Sequence, residues 1–295
     1  MVFNRLDTTK QVFDAIRLAK PPRLYIASDG ARVSCEGEDA IVQSVRNHVK
    51  SNIDWECDVK TLFREQNLGC KDAVSSAISW FFENEEMGII LEDDCLPDPS
   101  FFNYCQEMLV RFFYDQRISQ INGVDFKVDG PVRADSYHFS KNCYIWGWAT
   151  WRDRWISYDV EVKSWPKIRD SGALYDWLSD KSEIKYMLDL FEKVYHGSID
   201  TWDIQWVFAC KLMGRISVSP NVNLISNIGF GPGATHTVSD SVFSNMKLES
   251  MQFPLQHPLG VFAAVTLDRK FFEKYVIGSW TFRQKLKNLI HIYFN

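Results

Sequence analysis

A short apolar run that ends in three acids constrains this chain more than any other stretch. Residues 89–91 are typical of a strand buried on both faces, and Glu92, Asp93 and Asp94 follow directly before a turn at Pro97. Open α/β sheets bind their ligands at the carboxyl ends of their strands. Adjacent carboxylates repel one another unless a cation lies among them, which favours a metal–diphosphate site. The alternative interpretation is an acidic turn on the surface.

Strand and helix patterns alternate about four times over residues 1–94. The predicted strands lie at 1–5 (a short one), 24–27, 59–63, 87–91 and 118–124, and the predicted helices at 8–19, 41–49, 69–81 and 101–113. Such alternation is typical of α/β proteins with helices packed on a sheet. We therefore predict the α/β class with a mostly parallel, doubly wound sheet.

The pattern becomes less regular after residue 125. Helices are predicted at 172–195 and 202–213 and a strand at 216–225, with no repeat and no low-complexity linker. We interpret residues 1–125 as a nucleotide-binding half and residues 126–295 as an acceptor-binding half of one continuous unit.

Composition excludes some classes of protein. The net charge of −5 argues against general nucleic-acid binding. The seven cysteines are scattered without a CxxC pair, which favours free thiols in a reducing compartment over a disulfide framework or zinc site. No signal peptide and no membrane-spanning run is present in the sequence, so we expect a cytoplasmic location.

Two residues near the N-terminus are candidates for nucleotide binding. Asp29 follows a predicted strand at the same sheet edge as Asp93, where its carboxylate can accept the N–H of a uracil ring. The Asp29-Gly30 pair is equally typical of an aspartate that binds backbone in a turn. Arg5 ends the first predicted strand and can reach a phosphate or the base, although a single arginine is more often a solvated side chain.

A second acid is flanked by aromatic residues. Asp203 lies between Trp202 and Trp206 in the first turn of a predicted helix, a partly desolvated position that suits a general base. Aromatic faces also stack on sugars. Alternatively, the acid simply complements the helix dipole while both tryptophans pack in the core.

Two further stretches are predicted to line a ligand site. Residues 144–151 form an aromatic run around Gly147, which predicts either a sugar platform or core packing. Residues 229–237 form a glycine-rich loop that carries His236. This histidine is a candidate metal or phosphate ligand opposite Asp94, with an ordinary surface residue as the alternative.

The ordered set of these motifs resembles the GT-A class of nucleotide-sugar glycosyltransferases, which has a Rossmann-like sheet. It is most similar to the N-acetylglucosaminyltransferase I family and its bacterial relatives. The stretches that carry the resemblance lie at residues 3–5, 27–30, 91–94 and 202–206, with 147–151 and 231–236 similar to a bacterial group of sugar transferases.

The resemblance implies a role for each candidate residue and an inverting transfer of a sugar, N-acetylglucosamine first, from a UDP-sugar. The acceptor would be a saccharide or glycolipid, as in bacterial surface polysaccharide synthesis. The implied roles are uridine binding for Arg5 and Asp29, ribose and donor-sugar contacts for Glu92 and Asp93, Mn²⁺ (or Mg²⁺) binding for Asp94, proton abstraction for Asp203 and assistance to metal or phosphate for His236.

Alternatives to this function remain open at the level of sequence. A sugar-phosphate nucleotidyltransferase would share the α/β domain and acidic ligands, but residues 1–35 lack a glycine-rich basic phosphate loop. A non-catalytic carbohydrate- or nucleotide-binding subunit would also explain the aromatic residues. The basic amphipathic segment 279–295 predicts either peripheral contact with the inner face of a membrane or a helix docked on its own domain.

Overall fold

The chain folds as an α/β protein in the computed structural model, which describes residues 1–130, 133–178, 180–230 and 243–278. Its helices are α1 Leu6–Ala19, α2 Glu38–Ser51, α3 Gly69–Asn84, α4 Ser100–Arg111, α5 Arg152–Trp155, α6 Trp165–Ser171, α7 Leu174–Trp177, α8 Lys181–Tyr195, α9 Asp203–Leu212 and α10 Val265–Phe271, continued by a π-helical segment Phe272–Ile277. Its strands are β1 Arg23–Ser28, β2 Asp58–Phe63, β3 Met87–Ile90, β4 Cys95–Pro97, β5 Ile118–Asn122, β6 Tyr137–Ser140, β7 Trp148–Trp151, β8 Ile216–Pro220 and β9 Ile225–Asn227. The predicted α/β class is confirmed.

Strand pairing differs from the mostly parallel sheet that the sequence predicts. Strands β1 and β2 pair in parallel, and β4 pairs with β9 in the antiparallel sense. The largest sheet has the order β3-β7-β5-β8-β6, in which only β5 and β8 are parallel neighbours. Strands β6 and β7 enter this sheet from the second half of the chain and run antiparallel to their neighbours. Local strand–helix alternation carries no information about such late strands.

Residues at the N-terminus connect β1 with the end of β3. The Val2 N–H donates to the Ala27 carbonyl at 2.9 Å, and Val2 forms a parallel bridge with Ser28. The Met1 amine donates to the Leu91 carbonyl at 2.7 Å. The predicted first strand is therefore reduced to one bridge, but it still lies between the two sheets.

Helix α4 supplies much of the core beneath the main sheet. Phe101, Tyr104 and Met108, spaced three to four residues apart, face β5, where Ile118 and Ile121 are fully buried. Burial of each such apolar side chain stabilises the fold by about 1.5–3 kcal/mol. This packing fixes the strands whose ends form the candidate site.

A tryptophan cluster joins β7 to α9. The Trp148 and Trp202 rings stack with centroids 5.8 Å apart, and Trp206 lies 5.7 Å from Trp148. All three rings are buried. The beginning of α9, which carries Asp203, is thereby held against the sheet.

Buried amides on β5 form a saturated network. Asn122 Nδ2 donates to Ser217 Oγ at 2.9 Å and to Ser219 Oγ at 2.7 Å. Gln120 donates through Nε2 to Asn122 Oδ1 and accepts from the Trp206 indole N–H. Buried polar groups are stable only when they are paired in this way, so the network ties β5, β8 and α9 together.

None of the helices in the described ranges is long and apolar enough to cross a bilayer. The basic segment 279–295, for which we predicted peripheral membrane contact, lies outside these ranges.

Candidate functional site

Arg5 meets the acids that follow β3. Its Nη1 donates to Asp94 Oδ2 at 2.9 Å, and its Nη2 forms an ion pair with Asp93 Oδ1. The Phe3 N–H donates to the other oxygen of Asp93 at 3.3 Å. The short N-terminal stretch therefore brings a cation to the acidic strand end. Arg5 and Asp93 are 88 residues apart, so the sequence alone does not predict that they pair.

The acids of this site outnumber the cations that face them. Burial, followed by the charges of Asp94, Asp93 and, more weakly, Asp203, raises the pKa of Glu92 to about 8. Burial is also the main cause that raises the pKa of Asp93, against the opposing effect of Arg5. Burial is therefore the main cause of the raised pKa of Glu92, and the neighbouring acids add to it.

Asp203 lies close enough to the strand-end acids for its charge to act weakly on Glu92, and the charges of both residues also act on the Cys70 thiol. It is half-buried at the first position of α9, and its Oδ1 accepts the Thr201 hydroxyl. The Tyr158 hydroxyl donates to the Trp202 carbonyl at 3.1 Å and helps to fix this turn. Glu92 thus interacts with the acids that follow β3 and, more weakly, with the acid of α9.

The two tryptophans beside Asp203 are core residues. Trp202 is 2% exposed and Trp206 0%, which leaves neither face free for a sugar. The packing alternative is therefore the correct one for both rings. Their role at the site is to hold the first turn of α9.

Asp29 and Asp200 bind the N-terminus of α3 from two sides. Asp29 accepts the N–H groups of Leu68 at 3.0 Å and Gly69 at 3.2 Å. Asp200 accepts those of Cys70 at 3.2 Å and Lys71 at 2.9 Å. These are the backbone donors that a helix leaves unpaired at its first turn. Asp29 therefore binds backbone 39 to 40 residues away, whereas the turn interpretation predicted bonds to its own turn.

The start of the glycine-rich loop lies against the acidic cluster. The Ile228 N–H donates to the Asp94 carbonyl at 2.8 Å. A Cβ atom on Gly229 would come within 2.2 Å of Asp94 Oδ2 and 2.5 Å of Arg5 Nη1, so only glycine fits. His236, the second predicted metal ligand, falls in residues 231–242 and lies outside the described residues.

A divalent cation fits this donor set as a partner of one or two carboxylates. The described ranges hold no group of three or more His, Cys, Asp and Glu side chains arranged around a metal position. Asp94 is half-buried and uses Oδ2 for Arg5. Mg²⁺-type ions are commonly held by one or two carboxylates plus substrate phosphates, and Asp94 is the carboxylate that would take this part.

Comparison with known proteins does not add a family. No family model matches this chain, and no curated protein matches it. The function must therefore be argued from the residues of the site.

The aromatic run contributes mostly to the core but leaves one ring at the site. Trp148 and Trp151 are buried, whereas Trp146 is half-buried and meets the Phe230 ring edge-on at 5.8 Å. Phe230 directly follows Gly229, the residue beside Asp94. Trp146 and Phe230 are therefore two aromatic side chains close to the acidic cluster.

Several site residues escape prediction from the sequence. Asp200 and Thr201 carry a weak signal, an Asp-Thr pair directly before a helix. That signal predicts a cap on α9, whereas Asp200 caps α3. Cys70 and Tyr158 carry no signal; burial and the neighbouring acids raise the pKa of the Cys70 thiol to about 12, so it stays protonated.

Proposed function

We propose that this protein is an inverting, metal-dependent glycosyltransferase that moves a sugar from a UDP-sugar to a saccharide acceptor, with N-acetylglucosamine as the first candidate sugar. The observation that carries the proposal is that the charges of Asp94 and, more weakly, Asp203 both act on Glu92. This interaction supports a shared site for an acid at a strand end and an acid at a helix start. The transfer needs that arrangement, because one acid serves the leaving diphosphate and the other serves the attacking hydroxyl.

The reaction assigns a separate task to each acid. The acceptor oxygen forms a bond to the anomeric carbon while the bond from that carbon to the diphosphate oxygen breaks and its electron pair leaves with UDP. The acceptor attacks the face of the anomeric carbon opposite the departing UDP, which gives inversion without a covalent intermediate. Asp203 takes the acceptor proton on that face. Glu92, protonated around neutral pH by its raised pKa, would donate a hydrogen bond to the donor sugar.

Nucleotide binding is assigned to the ends of β1 and β3. Asp29 would accept from the uracil ring, Arg5 would contact a phosphate or the base, and Asp93 would face the ribose. Asp94, with His236 as a second candidate, would hold Mn²⁺ or Mg²⁺. When bound, that ion would stabilise the negative charge of the departing diphosphate.

The GT-A fold is part of the same proposal. Its support is the position of residues 1–3 between β1 and β3, which aligns the carboxyl ends of both strands at one edge. We also propose a cytoplasmic location, with the segment 279–295 as a peripheral membrane contact. An acceptor that belongs to a bacterial surface polysaccharide or its lipid-linked precursor would fit that location.

A screen of nucleotide-sugars for thermal stabilisation, with and without Mn²⁺, tests the proposal. A ligand at 100 times its Kd raises the free energy of unfolding by about 2.7 kcal/mol, and the correct donor should give the largest increase in Tm. Asp94→Asn should abolish the Mn²⁺-dependent part, and Asp14→Asn, an exposed acid on α1, should leave it intact.

Two outcomes would contradict this function. If UDP bound equally well without Mn²⁺, a non-catalytic binding subunit would be the better interpretation. If incubation with UTP and a sugar phosphate released pyrophosphate, the protein would be a nucleotidyltransferase.

A further inference from the structure

A cavity lies beyond the aromatic side of the acidic site. It is enclosed by the segment after β5, the facing ends of β6 and β8, and α10, and its volume is about 290 Å³. Small-molecule pockets measure roughly 300–1,000 Å³, so this one suits a single sugar ring. Phe126, Tyr144 and Phe271 form its aromatic wall, with centroids 4.8 to 5.2 Å apart.

Hydrogen bonds from the π-helical segment and α10 hold the rim of the cavity. The Tyr275 hydroxyl donates to the Phe126 carbonyl at 2.6 Å. Lys274 Nζ donates to the Lys127 carbonyl at 3.1 Å, and Lys270 Nζ donates to the Asp129 carbonyl at 2.7 Å. The rim is therefore fixed in place before any ligand arrives, which lowers the entropic cost of binding.

Most charged groups that line the cavity already have partners. Lys127 pairs with Asp125 at 2.9 Å and with Glu249 at 2.6 Å. Asp268 accepts the Ser140 hydroxyl at 2.5 Å and the Lys141 N–H at 2.9 Å.

Arg133 is the exception among these charged groups. Its Nε is buried with no hydrogen-bond partner in the described part of the chain, while the residue as a whole is half-buried. His138 lies in the same lining and uses Nδ1 for Asn221 at 2.7 Å. A buried guanidinium donor without an acceptor is costly, so this position favours an anionic ligand.

We propose that this cavity binds an acidic sugar unit of the acceptor, through a carboxylate or a phosphate ester. The planar fork of Arg133 matches either anion in a bidentate contact. The aromatic wall would stack on the sugar ring.

A continuous row of rings connects this cavity to the site of transfer. Phe126 lies 5.2 Å from Trp146, and Trp146 lies 5.8 Å from Phe230, which follows Gly229 beside Asp94. The assignment of the ligand as part of an acceptor rests on the proposed function, whereas binding of the acidic sugar itself does not.

Ligand-observed NMR titrations without nucleotide or metal test the binding. The probes are methyl β-D-glucuronide, glucose 6-phosphate and the neutral methyl β-D-glucoside. We expect at least one acidic probe to bind about tenfold more tightly than the neutral glucoside. The tighter of the two acidic probes identifies the anion.

Variants locate the binding at Arg133. Arg133→Gln should weaken the acidic probe about tenfold or more, and Arg133→Lys should weaken it less, because it keeps the charge but loses the fork. Arg169→Gln, which removes the same charge from an exposed position, should bind like the parent protein. Unchanged melting temperatures establish that each variant is folded.

Equal binding of the acidic and neutral probes, or undiminished acidic binding by Arg133→Gln, would overturn the inference. The outcome is separable from that of the proposed function. Loss of Mn²⁺-dependent UDP stabilisation with acidic-sugar binding intact would refute only the transferase. Failure of the acidic probes with UDP binding intact would refute only this cavity assignment.

Discussion

The acidic cluster after β3 and the amide network on β5 are both polar, yet their chemistry is opposite. On β5, neutral Asn122 and Gln120 find their partners within the protein. After β3, the acids exceed the nearby cations, and Glu92 retains a strongly raised pKa. A saturated neutral network stabilises a fold, whereas unbalanced charge costs stability. The difference separates the residues that hold this protein together from those placed for a ligand.

The largest expected effect belongs to the acid of α9. Asp203→Asn should lower acceptor-dependent release of UDP about 100- to 10,000-fold, because the acceptor hydroxyl loses its general base. Mn²⁺-dependent binding of the donor should persist, as measured by calorimetry. Asp189→Asn on the exposed face of α8 serves as the control. Full transfer by the Asp203 variant would remove this residue from the mechanism.

The network on β5 should give the largest effect on stability. Asn122→Ala leaves the hydroxyls of Ser217 and Ser219 without a donor and should lower the free energy of unfolding by about 3 kcal/mol. Urea denaturation measures the change. Asn47→Ala, on the exposed face of α2, should stay within about 0.5 kcal/mol of the parent protein. A similarly small change at Asn122 would show that the network contributes little.

Asp29 tests whether one carboxylate serves both the fold and the ligand. Asp29→Asn keeps an oxygen for the N–H groups of Leu68 and Gly69, so stability should fall by less than about 1 kcal/mol. UDP affinity in calorimetry should fall about tenfold, which corresponds to about 1.4 kcal/mol. Unaltered UDP affinity would leave Asp29 with only its capping role. Asp39→Asn, an exposed first-turn acid of α2, provides the comparison.

Replacement of Glu92 should give the smallest effect. It should raise the free energy of unfolding, whereas replacement of Asn122 should lower it. Its pKa rises from an ordinary 4.5 to about 8 in the folded protein, so the folded state binds more protons between these values. The free energy of unfolding should therefore fall as the pH rises from about 5 to 8. Glu92→Gln should flatten this dependence and stabilise the protein by about 1 kcal/mol at pH 8. A parallel pH profile for both proteins would rule out Glu92 as the cause.

Periodicity predicted the elements better than their pairing. Helices α1 to α4 and strands β1, β2 and β5 lie close to their predicted positions, because their apolar spacing depends on local sequence. The antiparallel entry of β6 and β7 depends on contacts between residues at least 26 positions apart, and 64 positions separate Met87 from its partner Trp151. No local pattern specifies such a contact.

The sequence predicted the acids of the candidate site but not the residues with which they pair. Asp94 and Asp203 were recognisable from a strand end and a helix start. Two kinds of contact arise only when distant segments meet. One is the pairing of Arg5 with two acids, and the other is the binding of the N-terminus of α3 by Asp29 and Asp200. Trp202 gave a misleading signal, since a large aromatic residue beside an acid is as suitable for a core as for a sugar.

The first turn of α3 is held by one acid from each half of the chain, Asp29 and Asp200, which are 171 residues apart. Strand β3 likewise obtains its sheet partner, β7, from the far half. A fragment cut at residue 125 would lose both contacts at once. Residues 1–125 and 126–295 are therefore not independent units, and the protein should be expressed, purified and engineered only as an undivided chain.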